Sequence, residues 1–255
     1  MVVAGEVNYQ SAPLIREALQ QLGQEGQLNL ALDCRSVDFI DSSGMGAIVH
    51  MAQVLKQAGG CLKLLGATPQ LIHALQVAGF AQLVDLEATV QPGPRVAQPE
   101  ADPSRVCQRA SISIPIHADR DGLVRRRVTD LAESMPFTQQ QIDDIRLAVG
   151  EAVSNAVKHG RWDSEHSRLT VRCIGNCEKL VVEVHNPGEA FDPDATPIPN
   201  PSLRREGGLG IFFMKTAMDL VEYTFDETGT TVRMVKFVMA NGARDGNGTD
   251  TGGQA

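Results

Sequence analysis

The segment from residue 137 to residue 160 limits the possible folds of this chain more than any other stretch. Thr138 and Gln141 have the spacing of a capping box, which predicts that a helix starts after Thr138. Apolar residues then recur every three or four positions, so the predicted helix has one face to bury. These residues are Ile142, Ile145, Val149, Ala152, Val153 and Ala156. Such a helix must pack against a sheet or another helix.

Polar residues follow a second stripe of the same predicted helix. Glu151, Asn155 and His159 are four residues apart, a spacing that places them along one side of a helix. A carboxylate beside an amide combines a proton acceptor with a neutral oxygen ligand of the kind that suits Mg²⁺. The alternative is the half-exposed polar edge of an amphipathic helix, and the helix taken alone favours that alternative.

Two glycine-containing segments lie downstream of this helix. The segment GGLG at 207–210 runs directly into an apolar stretch at 211–218, so its backbone N–H groups can approach phosphates at a helix N-terminus. The segment HNPG at 185–188 ends a strand-like run. Either one alone is typical of a turn. Their order after a helix with an ExxxN pattern resembles the nucleotide-binding module of the GHKL ATPases, in particular the small anti-sigma factor serine kinases.

This resemblance implies roles for individual residues. Glu151 would be the general base that takes the proton of a serine hydroxyl, and Asn155 would hold Mg²⁺. Asn186 stands where these kinases have an adenine-reading aspartate, and Ala190 replaces a loop glycine, so weaker ATP binding is expected. Either Thr230 or Thr231 matches the threonine near the adenine. The residues implied to bind ATP are Asn155, Asn186, Gly188, Gly207, Gly208, Leu209, Gly210 and Thr231.

The N-terminal third of the chain carries a second motif. The string DCRSVDFIDSSGMGAIVHM at 33–51 resembles the sulfate transporter and anti-sigma factor antagonist (STAS) domain. The resemblance implies that Ser42 is a phosphoacceptor. We expect its hydroxyl to be exposed at a helix N-terminus, where a phosphate would meet free N–H groups and the positive end of the helix dipole. The alternative is that Ser42 or Ser43 serves only as an N-cap.

The patterns of strands and helices predict two α/β units. An α/β sandwich of the STAS type is expected at 1–90, followed by a proline-rich linker at 91–106, a GHKL-type α/β sandwich that binds ATP at 107–240, and a disordered tail at 241–255. Within the first unit we expect separate strands at 28–32 and 39–40. The first helix of the second unit is expected at 119–134, with Leu123, Val128 and Leu131 facing the core.

Composition narrows the functional classes. The 255 residues carry a formal charge of −8, which argues against nucleic acid or an acidic membrane surface as a direct partner. The five cysteines form no CxxC pair, so free thiols in a reducing compartment are favoured over a zinc site or disulfides. The start of the chain has no signal-peptide pattern, and its apolar runs are too short to span a bilayer. We therefore expect a cytoplasmic protein.

The two resemblances together imply a partner-switching transcription regulator. An ATP-dependent protein-serine kinase of the anti-sigma type would be fused to an antagonist domain, its own kind of substrate. The sequence leaves three alternatives open: phosphorylation within one chain, between two chains, or on a separate antagonist. The implied partners are a sigma factor and separate STAS or anti-sigma proteins, with an intramolecular contact between STAS and kinase domains and a homodimer also expected. The alternative is a catalytically weak module that only binds proteins. A histidine kinase fragment fits less well, because no phosphoacceptor-histidine helix pair precedes the nucleotide module.

Overall fold

The structure of the protein is a computed structural model that describes residues 1–87, 108–115, 121–160, 168–187 and 209–239. The predicted linker and tail lie outside these described residues. Within them, no helix combines the length and apolar composition that crossing a membrane requires.

The N-terminal unit is built on a parallel sheet of four strands in the order β1-β2-β3-β4, with one helix between each successive pair. This alternation of strand and helix is the one that the sequence predicts. A 3₁₀ turn at Ala81–Leu83 precedes the last strand. The elements are β1 (Val2–Val7), α1 (Ala12–Gln24), β2 (Asn29–Ile40), α2 (Ser42–Gln57), β3 (Cys61–Leu65), α3 (Pro69–Val77) and β4 (Asp85–Glu87).

Strand β2 corrects the expectation of two separate strands at 28–32 and 39–40. Its first half pairs with β3, from Asn29 to Asp33, and its second half pairs with β1, from Asp33 to Ile40. The strand therefore continues because each half has a neighbour to bond. Cys34 and Val37, in the stretch that looked like a loop, are both buried.

The C-terminal unit contains an antiparallel sheet of five strands in the order β5-β6-β7-β9-β8, with helices packed against it. Two helices come between the first two strands, and a third precedes β8. The elements are β5 (Gln108–Pro115), α4 (Asp121–Glu133), α5 (Gln139–His159), β6 (Arg168–Gly175), β7 (Lys179–Asn186), α6 (Leu209–Ala217), β8 (Leu220–Asp226) and β9 (Gly229–Phe237).

Helix α5 is the centre of this unit and confirms the prediction from its sequence. The Thr138 hydroxyl accepts a hydrogen bond from the Gln141 N–H at 3.2 Å, and the Gln141 side chain accepts from the Thr138 N–H, so the capping box is complete. All six apolar residues of the predicted stripe are buried. Helices α4 and α6 flank α5, which also packs on β7. The helix is therefore held on several sides.

The buried stripe of α4 differs from the predicted one. Leu123, expected to face the core, is 38% exposed, whereas Val124 is fully buried. Val124, Val128 and Ala132 are four residues apart and form the stripe that packs in the core. Leu131 is only partly buried against it. The predicted face was wrong by one residue at the first turn because Leu123 and Val124 are both apolar.

The two units share one apolar contact region. Leu147 of α5 and Phe213 of α6 are almost fully buried, and both belong to the hydrophobic cluster formed by the N-terminal unit. Leu209 and Phe212 pack against the same cluster. Burying a large apolar side chain contributes about 1.5–3 kcal/mol relative to exposure. These side chains thus hold the parallel-sheet unit on the α5–α6 face.

Phe39, near the end of β2, packs against two helices of the C-terminal unit: its ring lies beneath an arginine of α4 and against a glycine of α5. The Arg125 guanidinium lies over its ring, 3.6 Å from the centroid. Arg125 is only 4% exposed and forms an ion pair with Glu6 of β1. On the other helix, a Cβ on Gly150 would come 2.3 Å from Cζ of the Phe39 ring. Only glycine leaves space for the ring at that position.

We predict that Gly150→Ala destabilises the protein by about 1–3 kcal/mol, because the added methyl group forces the Phe39 ring to move. Urea unfolding measures the change. Gly46→Ala is the control, because a Cβ at Gly46 in α2 meets no atom within 4 Å, and it should be neutral or stabilise the protein. In a Phe39→Ala background, Gly150→Ala should cost little. An equal cost in both backgrounds would contradict the contact.

Candidate functional site

The N-terminus of α2 is capped by Asp41, which corrects the alternative that Ser42 or Ser43 is the N-cap. One Asp41 carboxylate oxygen accepts hydrogen bonds from the N–H groups of Ser43 at 2.8 Å and Gly44 at 3.0 Å. The other oxygen accepts from the Tyr9 N–H at 3.2 Å. Ser42 is the first helical residue, so its own side chain is not used for capping.

The Ser42 side chain meets Glu151 of α5. Its hydroxyl lies 2.6 Å from Glu151 Oε2, and its backbone N–H donates to Glu151 Oε1 at 2.5 Å. Ser42 is therefore half-buried, which corrects the prediction from the sequence that its hydroxyl is exposed. Glu151 is fully buried, so it does not lie on a half-exposed helix edge. The structure brings together the predicted phosphoacceptor and the predicted base.

Two further residues of α5 contact the same helix N-terminus. The Ser154 hydroxyl donates to Asp41 Oδ2 at 2.9 Å. The Lys158 ammonium donates to the Ser43 hydroxyl at 2.5 Å and lies 5.3 Å from the Tyr9 ring centroid. Neither residue is part of a sequence motif that predicts a functional role. The signal that could have found them is their position three and seven residues after Glu151, which places all three residues along one stripe of the helix.

Burial and, to a smaller extent, the nearby charge of Asp41 raise the pKa of Glu151 to about 8. Opposing effects are smaller: the hydrogen bonds from Ser42 and the charge of Lys158 both favour the carboxylate. A carboxylate of this basicity takes a proton from a hydroxyl more readily than an exposed glutamate does. Its environment thus suits a general base.

Gly210, in the first turn of α6, lies directly against Glu151 and Asn155. A Cβ at this position would come 2.7 Å from Glu151 Oε2 and 3.2 Å from Asn155 Nδ2. The backbone at the start of the helix therefore approaches the carboxylate and the half-buried amide closely. An amide oxygen beside a helix N-terminus fits a phosphate-bound Mg²⁺, because it supplies a neutral ligand where N–H groups attract the phosphate.

Asn186 and Thr231 lie in a second group at the paired ends of β7 and β9. Asn186 is 8% exposed, and its side-chain amide donates to the Pro187 carbonyl at 3.3 Å. His185 Nδ1 lies 2.9 Å from the Thr231 hydroxyl. Gly229 begins β9, directly after the turn from β8, and its φ is 141°. A Cβ at this position would come 2.1 Å from the Asn186 carbonyl oxygen, so the turn between β8 and β9 requires glycine.

Several predicted residues are not placed beside Glu151. His159, which shares the spacing of Glu151 and Asn155, is exposed at the end of α5. Gly188, Gly207, Gly208 and Ala190 lie outside the described residues. Leu209, predicted to bind ATP, packs partly against the N-terminal unit.

Comparison with protein families gives two matches. A model of the STAS domain matches residues 1–92, and a model of the histidine kinase-like ATPase domain matches residues 115–236. The first match contains Ser42, and the second contains Glu151, Asn155, Asn186 and Thr231. Each half of the site therefore lies in a different family region.

Several relatives match about half of the chain. The serine-protein kinase RsbW of Bacillus velezensis is 34% identical over 146 residues, which cover 54% of this chain and 89% of that protein. RsbW of Bacillus subtilis is 31% identical, covering 52% of this chain and 86% of the relative. RsbW of Listeria monocytogenes is 30% identical with similar coverage, 51% and 87%. The similarity thus spans nearly the whole of each relative.

Among solved structures, the anti-sigma factor antagonist SpoIIAA in its unphosphorylated form is similar to part of the chain. The sequences are 19% identical, and the match covers 35% of this chain and 77% of SpoIIAA, with a TM-score of 0.30.

The raised pKa of Glu151 predicts a pH dependence of stability. The folded protein holds a proton on Glu151 between the ordinary pKa of 4.5 and about 8, whereas the unfolded chain releases it. This contribution is complete at low pH and is lost as the pH rises through about 8. Between pH 6 and 8, wild type should lose roughly 1 kcal/mol per pH unit relative to Glu151→Gln.

Denaturant unfolding of both proteins at pH 6, 7, 8 and 9 measures this difference. Glu17→Gln, which changes an exposed carboxyl group on α1, is the control and should follow wild type at every pH. A constant difference between wild type and Glu151→Gln would contradict the raised pKa.

Proposed function

The chain belongs to the family of RsbW serine-protein kinases, with a STAS domain on the N-terminal side of the kinase domain, and we propose that it is a partner-switching regulator of a sigma factor. The kinase domain uses ATP, and its phosphoacceptor is Ser42 of the STAS domain in the same chain. Phosphorylation of Ser42 changes which partner the STAS domain holds. The protein acts in the cytoplasm.

The observation that carries this proposal is the contact between Ser42 and Glu151. A hydroxyl 2.6 Å from a buried carboxylate is at the distance at which a general base takes a proton. The Ser42 N–H bond to the other oxygen of Glu151 fixes the carboxylate in two places. Nucleophile and base are therefore oriented before the reaction, which is how a kinase gains most of its rate.

The proposed step is an in-line phosphoryl transfer. ATP supplies the phosphoryl group when it is bound. The Ser42 oxygen forms a bond to the γ-phosphorus as the bond between that phosphorus and the departing ADP oxygen breaks. The Ser42 proton passes to Glu151, which becomes neutral. Glu151 then releases this proton to solvent, which completes the proton balance of the step.

The residues that would hold the nucleotide lie in two places: beside Glu151 at the start of α6, and at the paired ends of β7 and β9. Asn155 would provide an oxygen for Mg²⁺, and the start of α6 at Leu209 and Gly210 would face the phosphates. Asn186 and Thr231 would lie by the adenine, with Asn186 accepting or donating as a neutral amide. Gly188, Gly207 and Gly208 complete the predicted set.

Phosphorylation within one chain is favoured by the packing of the two units. Leu147 and Phe213 tie the STAS domain to the same helices that carry Glu151 and Gly210. A substrate in the same chain also has a higher effective concentration than a separate one. The partners proposed for the chain are a sigma factor and separate STAS or anti-sigma proteins, and we propose that it also forms a homodimer.

We predict that purified protein incubated with Mg-ATP gains one phosphate. Ser42→Ala and Glu151→Gln should each abolish this gain, because one lacks the acceptor oxygen and the other lacks the base. Intact-mass spectrometry over time provides the measurement, and Ser43→Thr serves as a neighbouring control that keeps Ser42. If wild type gains no phosphate and transfers none to an added STAS protein, the kinase proposal fails.

Mixing Ser42→Ala with Glu151→Gln tests whether the reaction occurs within one chain. The mixture contains an intact base on one protein and an intact acceptor on the other. We expect no phosphate on either, together with a wild-type rate constant that does not change with protein concentration. Phosphate on Glu151→Gln in the mixture would show transfer between chains.

The rate of phosphorylation should rise with pH as Glu151 loses its proton. Only the carboxylate form takes a proton, so the rate constant should rise about tenfold per pH unit below pH 8 and become level above it. Quenched time courses at pH 6, 7, 8 and 9 with saturating Mg-ATP measure the profile. A rate that is constant from pH 6 to 8 would contradict Glu151 as a base with raised pKa.

A further inference from the structure

Three consecutive residues at the start of α2 each contact a different residue of α5. Asp41 accepts from the Ser154 hydroxyl at 2.9 Å. Ser42 contacts Glu151 at 2.6 Å, and the Ser43 hydroxyl accepts from the Lys158 ammonium at 2.5 Å. We refer to residues 41–43 as the acceptor segment. Every residue of this segment therefore contacts one side chain of the kinase domain.

The spacing of the α5 residues explains why one helix can do this. Glu151, Ser154 and Lys158 occupy positions i, i+3 and i+7, which lie along one stripe of an α-helix. Their chemistry is matched to the acceptor segment. A carboxylate faces a hydroxyl and an N–H group, a hydroxyl donor faces the carboxylate of Asp41, and an ammonium donor faces the hydroxyl of Ser43.

We propose that Ser154 and Lys158 are specificity-determining positioning residues, which select as substrate a helix N-terminus of the form carboxylate, acceptor serine, second hydroxyl residue. This proposal rests on the proposed function, because it concerns how the same kinase site recognises its acceptor. Neither residue touches the hydroxyl that reacts. They act on the residues at either side of it and so aim Ser42 at Glu151.

Each position of the acceptor segment has a physical reason to be selected. Asp41 is fully buried, and an apolar residue there would remove the acceptor of the Ser154 hydroxyl and of the Ser43 N–H group. At position 43 an alanine would leave the half-buried Lys158 ammonium without its hydroxyl acceptor. Threonine would retain that oxygen. The kinase domain is therefore expected to accept Asp-Ser-Ser and Asp-Ser-Thr.

Phosphorylation rates of the full chain test the proposal. Lys158→Met and Ser43→Ala should each slow phosphorylation about ten- to hundredfold, the size expected for losing one hydrogen bond to a charged group at the site. The double variant should be no slower than the slower single variant, because both changes remove the same contact. Ser43→Thr should stay within about two- to threefold of wild type.

Ser154→Ala tests the other side of the acceptor segment and should also slow the reaction by about ten- to hundredfold, because it removes a hydrogen bond to the Asp41 carboxylate. Arg127→Met is the matched control for loss of a cation, because Arg127 is exposed on α4, and its rate should equal that of wild type. Equal rates for wild type and Lys158→Met, or fully multiplicative effects of Lys158→Met and Ser43→Ala, would overturn the proposal.

Amide hydrogen exchange, measured without nucleotide, tests the contacts of the acceptor segment independently of catalysis. The amides of the acceptor segment and Gly44 should exchange at least tenfold faster in Lys158→Met than in wild type, while Arg127→Met should not change them. Unchanged exchange in Lys158→Met would overturn the proposal even where rates fall. If wild type is not phosphorylated but exchange responds as expected, the contacts stand and the kinase function fails.

Discussion

The buried carboxylate of Glu151 is the constraint on which the rest of the structure depends. A fully buried carboxylate without hydrogen-bond partners is costly, and Ser42 supplies two donors from another domain. Glu151 is also part of α5, whose opposite face forms the core of the C-terminal unit. Core packing, the proposed general base and the domain contact thus meet on one helix.

The two domains meet on one face of helix α5, and only one partner can occupy this face at a time. Gly150 accommodates the Phe39 ring, and Leu147 packs into the hydrophobic cluster of the STAS domain. A separate protein that binds this face of α5 must first displace the STAS domain. Such a protein would also remove Ser42 from Glu151. Exchange of partners and interruption of phosphorylation would therefore be a single event, which is the property that a partner-switching regulator needs.

Local patterns in the sequence account for much of the fold. The capping box at Thr138, the buried stripe of α5 and the alternation of strands and helices could all be predicted, because each depends on residues close together in the chain. The continuous strand β2 and the outward-facing Leu123 could not. Pairing with two different neighbours decides the first, and the choice between two adjacent apolar residues decides the second.

Only those residues of the candidate site that belong to a sequence motif could be predicted. Glu151 and Ser42 belong to motifs of two families, so each could be selected separately. Their contact could not be predicted, since it joins residues separated by 109 positions. Ser154 and Lys158 were missed for the same reason: on α5 alone they are ordinary helix residues, and only the docked Asp41 and Ser43 give them partners.

The burial of Leu147 and Phe213 among side chains of the STAS domain has a consequence for the lifetime of the separated state. Separation of the domains would expose both side chains to water, together with the partly buried Phe212. An exposed apolar patch of this kind favours aggregation and attracts chaperones and proteases. A separated kinase domain would therefore persist only while another protein covers the patch, so the abundance of that partner would set how long the open form survives in the cell.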